Sequence, residues 1–111
     1  MDEKNLIKVL LVEPFNKPKM ITIENNYQAI SKIICGDVDE YMPFEDDVAL
    51  LCNADGKRLS LSASHTVTDI ETGKTELIYG SFILVGASEF DTEYHSLYDN
   101  LIDKYMDLFG K

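Results

Sequence analysis

The residues able to do chemistry are few, and most are carboxylates. Asp99, Asp103 and Asp107 repeat at i, i+4 and i+8, which on a helix makes one ridge with carboxylates about 6 Å apart along the axis. A second group, Asp37, Asp39, Glu40, Glu45, Asp46 and Asp47, falls within 37–47, a stretch without a single base. Such carboxylates can hold a basic surface or, more simply, solvate a face of the molecule. The Asp37-x-Asp39 pair resembles the opening of a calcium loop, but Met42 stands where that loop requires glycine. His65 and His95 are far apart in sequence and neither belongs to a His-x-x-x-His pair, so no zinc site is expected. The chain also has no dinucleotide fingerprint, phosphate loop or Gly-x-Ser-x-Gly elbow. A histidine without a partner and a pocket is not an active site. The expectation is a protein that is not an enzyme and carries no cofactor and no metal.

Cys35 and Cys52 are too few for a disulfide framework. They read as two free, buried thiols of a cytoplasmic protein. The longest apolar run is Val48–Cys52, and the opening Met1-Asp2-Glu3-Lys4-Asn5 is no secretory signal. No membrane association is expected.

The formal net charge is −10 over 111 residues. Phosphate and anionic membrane surfaces both select clustered Lys and Arg, so direct nucleic-acid binding is disfavoured. A basic protein partner suits the charge better. Residues 1–36 hold four acids and five bases, whereas 37–47 hold six acids and 88–111 hold six acids against Lys104 and Lys111. The acidity is therefore local. Along the ridge, like charges four residues apart oppose helix formation by a few tenths of a kcal/mol per pair. Asp107 falls in the last turn, where the helix dipole favours a cation.

These groups need a scaffold, and the apolar pattern supplies one over 1–111. Leu6–Val12 reads as a buried strand, and Met20–Ile23 pairs back on it as a hairpin. A helix is expected over 26–35, capped by Asn25 or Asn26 and closed by Gly36 as the residue past its end. Val38–Met42 and Val48–Cys52 are strands. Asn53-Ala54-Asp55-Gly56 suggests a hairpin turn with Gly56 at positive φ, returning through Lys57–Leu61. Residues 62–75 are polar and turn-rich. Glu76–Tyr79 leads to Phe82–Gly86, the most apolar strand and the expected centre of the sheet. A long amphipathic helix is expected over 89–109, opened by the Ser88-x-x-Asp91 capping box, with Phe90, Tyr94, Leu97, Leu101, Tyr105 and Phe109 on one stripe and His95 at its border. The expected fold is α+β: one mostly antiparallel sheet of five to six strands with both helices packed on it.

Placed on these elements, Tyr41-Met42-Pro43-Phe44-x-Asp46-Asp47-Val48-Ala49-Leu50-x-Cys52-Asn53 and Gly80-Ser81-Phe82-Ile83-Leu84-Val85-Gly86 resemble a family of small domains, domain of unknown function 3846, over residues 7–87. The family pattern continues after the hairpin with Leu-Pro-x-Asn-Arg; here Leu61-Ser62-Ala63-Ser64-His65 lacks the Pro, Asn and Arg. The resemblance implies no activity. It implies an accessory protein of phages, plasmids or conjugative elements. The charge map, set in that context, leads to the expectation of a non-catalytic interaction protein whose acidic surface binds a basic host factor, an anti-defence or nucleic-acid-mimicking role included. The alternative is a small-molecule binder with a pocket between sheet and helix, lined by Tyr41, Phe44 and 62–75.

Overall fold

A computed structural model describes residues 5–88 and 93–110. Along the chain run β1 (Leu6–Val12), β2 (Lys19–Glu24), α1 (Tyr27–Ile34), β3 (Val38–Tyr41), β4 (Val48–Asn53), β5 (Ala63–Thr68), β6 (Thr75–Tyr79), β7 (Phe82–Gly86) and α2 (Asp99–Phe109). Five strands form an antiparallel sheet in the order β2-β1-β7-β4-β3, and β5 with β6 forms a separate hairpin. The fold is α+β with β7 at its centre, as the apolar pattern required.

Strand periodicity divides the apolar side chains between two faces. Leu10, Leu50, Phe82 and Leu84 meet Tyr105 and Phe109 of α2 and Val67 and Ile78 of the hairpin. Val9, Leu51, Ile83 and Val85 meet Ile30 and Ile34 of α1. The sheet is thus covered on both faces, which is why β4 and β7 are apolar at successive positions rather than at alternate ones.

Four local expectations give way. The turn after β4 is not a hairpin: the Asn53 side chain accepts the Asp55 N–H at 2.8 Å and the Leu59 N–H reaches the Asp55 carbonyl at 2.8 Å, so the chain coils. Both edges of β4 are already taken by β3 and β7, leaving no edge for Lys57–Leu61 to join. Gly56 does not take positive φ; it is needed because a Cβ there would lie 2.6 Å from the Tyr79 carbonyl oxygen. The left-handed residue ending α1 is Cys35, with φ 64°, rather than Gly36. That turn leaves Cys35 exposed while Cys52 is buried, so only one of the two thiols is in the core.

The C-terminal helix begins at Asp99, ten residues later than expected, and the Ser88–Asp91 box and Phe90 fall largely in 89–92, outside the described residues. Residues 95–97 instead enter the sheet. Gly86 and His95 exchange backbone hydrogen bonds at 2.8 and 2.9 Å, so His95 sits in a β-bridge and not on a helix. Lys8 gives its N–H to Ser96 Oγ at 2.9 Å and accepts from the Leu97 N–H at 2.8 Å. The reason is geometric: β1 and β7 pair only through Phe82, Ile83 and Leu84, so beyond them the two strands offer backbone groups that need partners.

Candidate functional site

The nine candidate carboxylates are not gathered into one patch. Strand alternation in β3 separates them: Asp39 and Tyr41 share one face with Cys52, while Val38 and Glu40 point to the α1 side, where Glu40 accepts the Tyr94 hydroxyl. Asp37 accepts the Tyr27 hydroxyl of α1 at 3.2 Å. Glu45 and Asp46, by contrast, lie against α2. Asp46 takes the Lys104 ammonium at 2.6 Å and the Tyr105 hydroxyl at 2.7 Å, and Glu45 meets the same ammonium at 3.6 Å. Lys104 and Tyr105 together hold the Asp46 carboxyl below the usual carboxylate range. Asp47 is exposed and contributes its backbone carbonyl to the Ala87 N–H at 3.0 Å.

On α2, Tyr105 and Phe109 are buried and Asp99, Asp103 and Asp107 are all exposed. The ridge exists as the spacing implied. Lys104, the one base of α2, is engaged by the 45–46 loop, so this cation forms a seam between the two acidic segments.

A cleft lies between the main sheet and the β5–β6 hairpin, rather than between the sheet and a helix. It has a volume of about 260 Å³, with Tyr41, Pro43, Leu50, Val67 and Ile78 on its apolar walls and Asp69, Thr72, Lys74 and Glu76 among its polar lining. The hairpin tip is tied across it by the Ile70 N–H on the Pro43 carbonyl at 2.8 Å. Asp69 caps its own turn through the N–H groups of Glu71 and Thr72. Burial, then hydrogen bonding to Asp39, raises the Tyr41 hydroxyl well above its ordinary value. Phe44, expected in such a pocket, instead packs edge-on against Tyr105 with centroids 4.9 Å apart. Asp69, Thr72 and Lys74 come from the 62–75 stretch expected to line a pocket with Tyr41, whereas Glu76 was missed because only the pairing of β5 with β6 brings it beside Tyr41.

The remaining reactive side chains have structural surroundings. Burial, with Asp39 and Glu76 adding to it, pushes the Cys52 thiol up to about 12, which keeps it from acting as a thiolate. The His65 ring lies edge-on to Phe109 at 5.3 Å and to Phe82 at 6.3 Å. Among the described residues no helix is long and apolar enough to cross a membrane.

No curated protein and no solved structure matches the chain. One family model does match, described as "Domain of unknown function (DUF3846)", and it spans residues 7–110. It therefore takes in α2, beyond the 7–87 stretch whose motifs carry the resemblance. Those motifs now have positions: Gly80 stands at φ 85° between β6 and β7, and Gly86 admits the 95–97 segment. With its fold, its motifs and nearly its whole length accounted for, the chain belongs to the DUF3846 family.

Proposed function

We propose that this protein is a non-catalytic binding protein that uses the outer face of α2, flanked by the 45–47 loop, to hold a basic protein. The observation that carries this reading is the distribution of charge on α2: three exposed carboxylates lie away from the buried Tyr105 and Phe109, and the helix's base is bound by Glu45 and Asp46. A surface kept acidic at a cost to helix stability suits long-range attraction to a cationic partner. The resemblance extends the reading to an accessory protein of a mobile element acting on a host factor in the cytoplasm. Titration of the protein with a polylysine peptide tests the charge recognition. The Asp99/Asp103/Asp107→Asn variant should bind about tenfold more weakly at low salt, and the difference should vanish near 1 M salt. Equal binding by the variant at low salt removes the reading.

A second reading rests on the cleft beside Tyr41. Its mixed apolar and polar lining suits a small molecule, and its volume, just under the usual range for drug-sized ligands, limits that molecule to fragment size. An NMR fragment screen of the wild type and of Val67→Trp, which fills the cleft, decides it. Hits that shift Tyr41 and Ile78 and disappear in the variant support the reading; no hits at all, or hits indifferent to the substitution, overturn it.

A further inference from the structure

The two edges of the five-stranded sheet are unequal. On β3, the Ala54 N–H bonds the Asp37 carbonyl at 2.8 Å, so Asp37, Asp39 and Tyr41 face β4 and the backbone groups of Val38 and Glu40 face outward. Both outward N–H groups have side-chain acceptors: the Tyr27 hydroxyl for Val38 at 3.4 Å and the Asp39 carboxylate for Glu40 at 3.0 Å. With its outward amides occupied and Asp39 and Glu40 among its side chains, this edge is protected against a further strand.

On β2 the same accounting gives the opposite result. The Asn25 N–H bonds the Asn5 carbonyl, and Lys8 directs its N–H and C=O to Ser96 and Leu97. With Lys8 opposite Thr22 and Leu10 opposite Met20, the odd-numbered residues of β2 bond β1 and the even-numbered ones face away. Met20 and Thr22 thus offer backbone donors and acceptors along an edge whose side chains include Ile21 and Ile23.

We propose that a second copy of this chain occupies that edge, β2 pairing antiparallel with β2 about a two-fold axis at Ile21 to give a continuous ten-stranded sheet. Met20 of each copy then exchanges both backbone bonds with Thr22 of the other. Outward-facing residues meet outward-facing ones only when paired positions have the same parity, and this register satisfies that. Ile21 meets Ile21 at the axis, an aliphatic cross-strand pair on the face that already carries Ile23 and Ile30. Charge favours this partner here. Residues 1–36 are the stretch without excess acid, so two chains of net charge −10 meet here with less repulsion than they would along the β3 edge, which carries Asp37, Asp39 and Glu40. The contact is isologous and closes at two. It is independent of the reading given for α2, which lies on a face of the sheet rather than at its edge.

Analytical ultracentrifugation of the full chain, with circular dichroism of each variant, tests this. Wild type should sediment as a dimer at micromolar concentration. Thr22→Pro removes an outward N–H from each copy at a position an edge strand tolerates, and should raise the dissociation constant on the order of 30-fold with the circular dichroism unchanged. In a Cys35→Ser background, Ile21→Cys should form an intermolecular disulfide on air oxidation, because a directly opposed, non-hydrogen-bonded pair has the spacing a disulfide needs. A monomeric wild type, an equally tight Thr22→Pro dimer, or a folded Ile21→Cys chain that does not cross-link overturns the proposal. Loss of polylysine binding by the α2 variant leaves all three readouts unmoved.

Discussion

At the scale of single residues, the family motifs turn out to serve close packing. A Cβ on Gly86 would stand 2.4 Å from the Ser96 carbonyl oxygen, a backbone atom that cannot swing aside. Gly86→Ala should therefore cost about 3 kcal/mol, read as a lower urea midpoint at unchanged slope. A variant as stable as wild type would mean that the 95–97 segment is not anchored as described. Asn53 has a comparable role: its amide donates to the Ile34 and Cys35 carbonyls at 3.2 and 3.0 Å, closing the end of α1 from the end of β4. The residue types at both positions could be read from the chain, but their duties could not. A glycine ending an apolar strand and an asparagine opening a turn each look local in sequence. Here both answer contacts made far along the chain.

At the scale of elements, α2 carries its acids against local preference. Asp103 has a like charge four residues away on each side, Asp99 and Asp107. Asp103→Asn should accordingly raise stability by about 0.5 kcal/mol at low ionic strength, and salt should erase the gain. A thermal or urea melt at two salt concentrations is sufficient. If the same substitution also weakens polylysine binding, the ridge is retained at a cost in stability. The helix itself was legible from its apolar stripe, but its start was not. Tyr94 and Leu97 fit a helical stripe equally well as part of an extended segment, with Leu97 buried either way. The decision came from unpaired backbone on β1 and β7, which periodicity cannot register. The 57–61 stretch shows the converse, since a strand-like return has no place where both edges of β4 are occupied.

At the scale of the whole molecule, burial of titrating side chains sets the alkaline limit. The Cys52 thiol is raised from 9.0 to about 12, and the hydroxyls of Tyr41, Tyr94 and Tyr105 are raised above 10.0, burial being the leading cause for each. A folded-state value above the unfolded one means that the unfolded chain loses the proton first. That stability is complete below pH 9.0 and declines as the pH rises from 9.0 towards 12. Urea midpoints measured across that interval should fall steadily, and a flat profile would show these groups to be more accessible than the packing implies.

What the amino-acid sequence determined by itself is the set of elements and their buried sides: β1, β2, α1, β3, β4, β7 and the body of α2. Short-range periodicity decides which side chains must leave water, and it does so without reference to neighbours. It also located the acidic segments, because charge is a property of residues. Only the tertiary structure decided which strands share an edge, where α2 begins, and that Asp37 and Glu40 accept the hydroxyls of Tyr27 and Tyr94. It also joined the 62–75 stretch to Tyr41 as the wall of a cleft. Each of these depends on backbone groups or side chains distant in sequence satisfying one another, and no local pattern encodes which partner is left vacant.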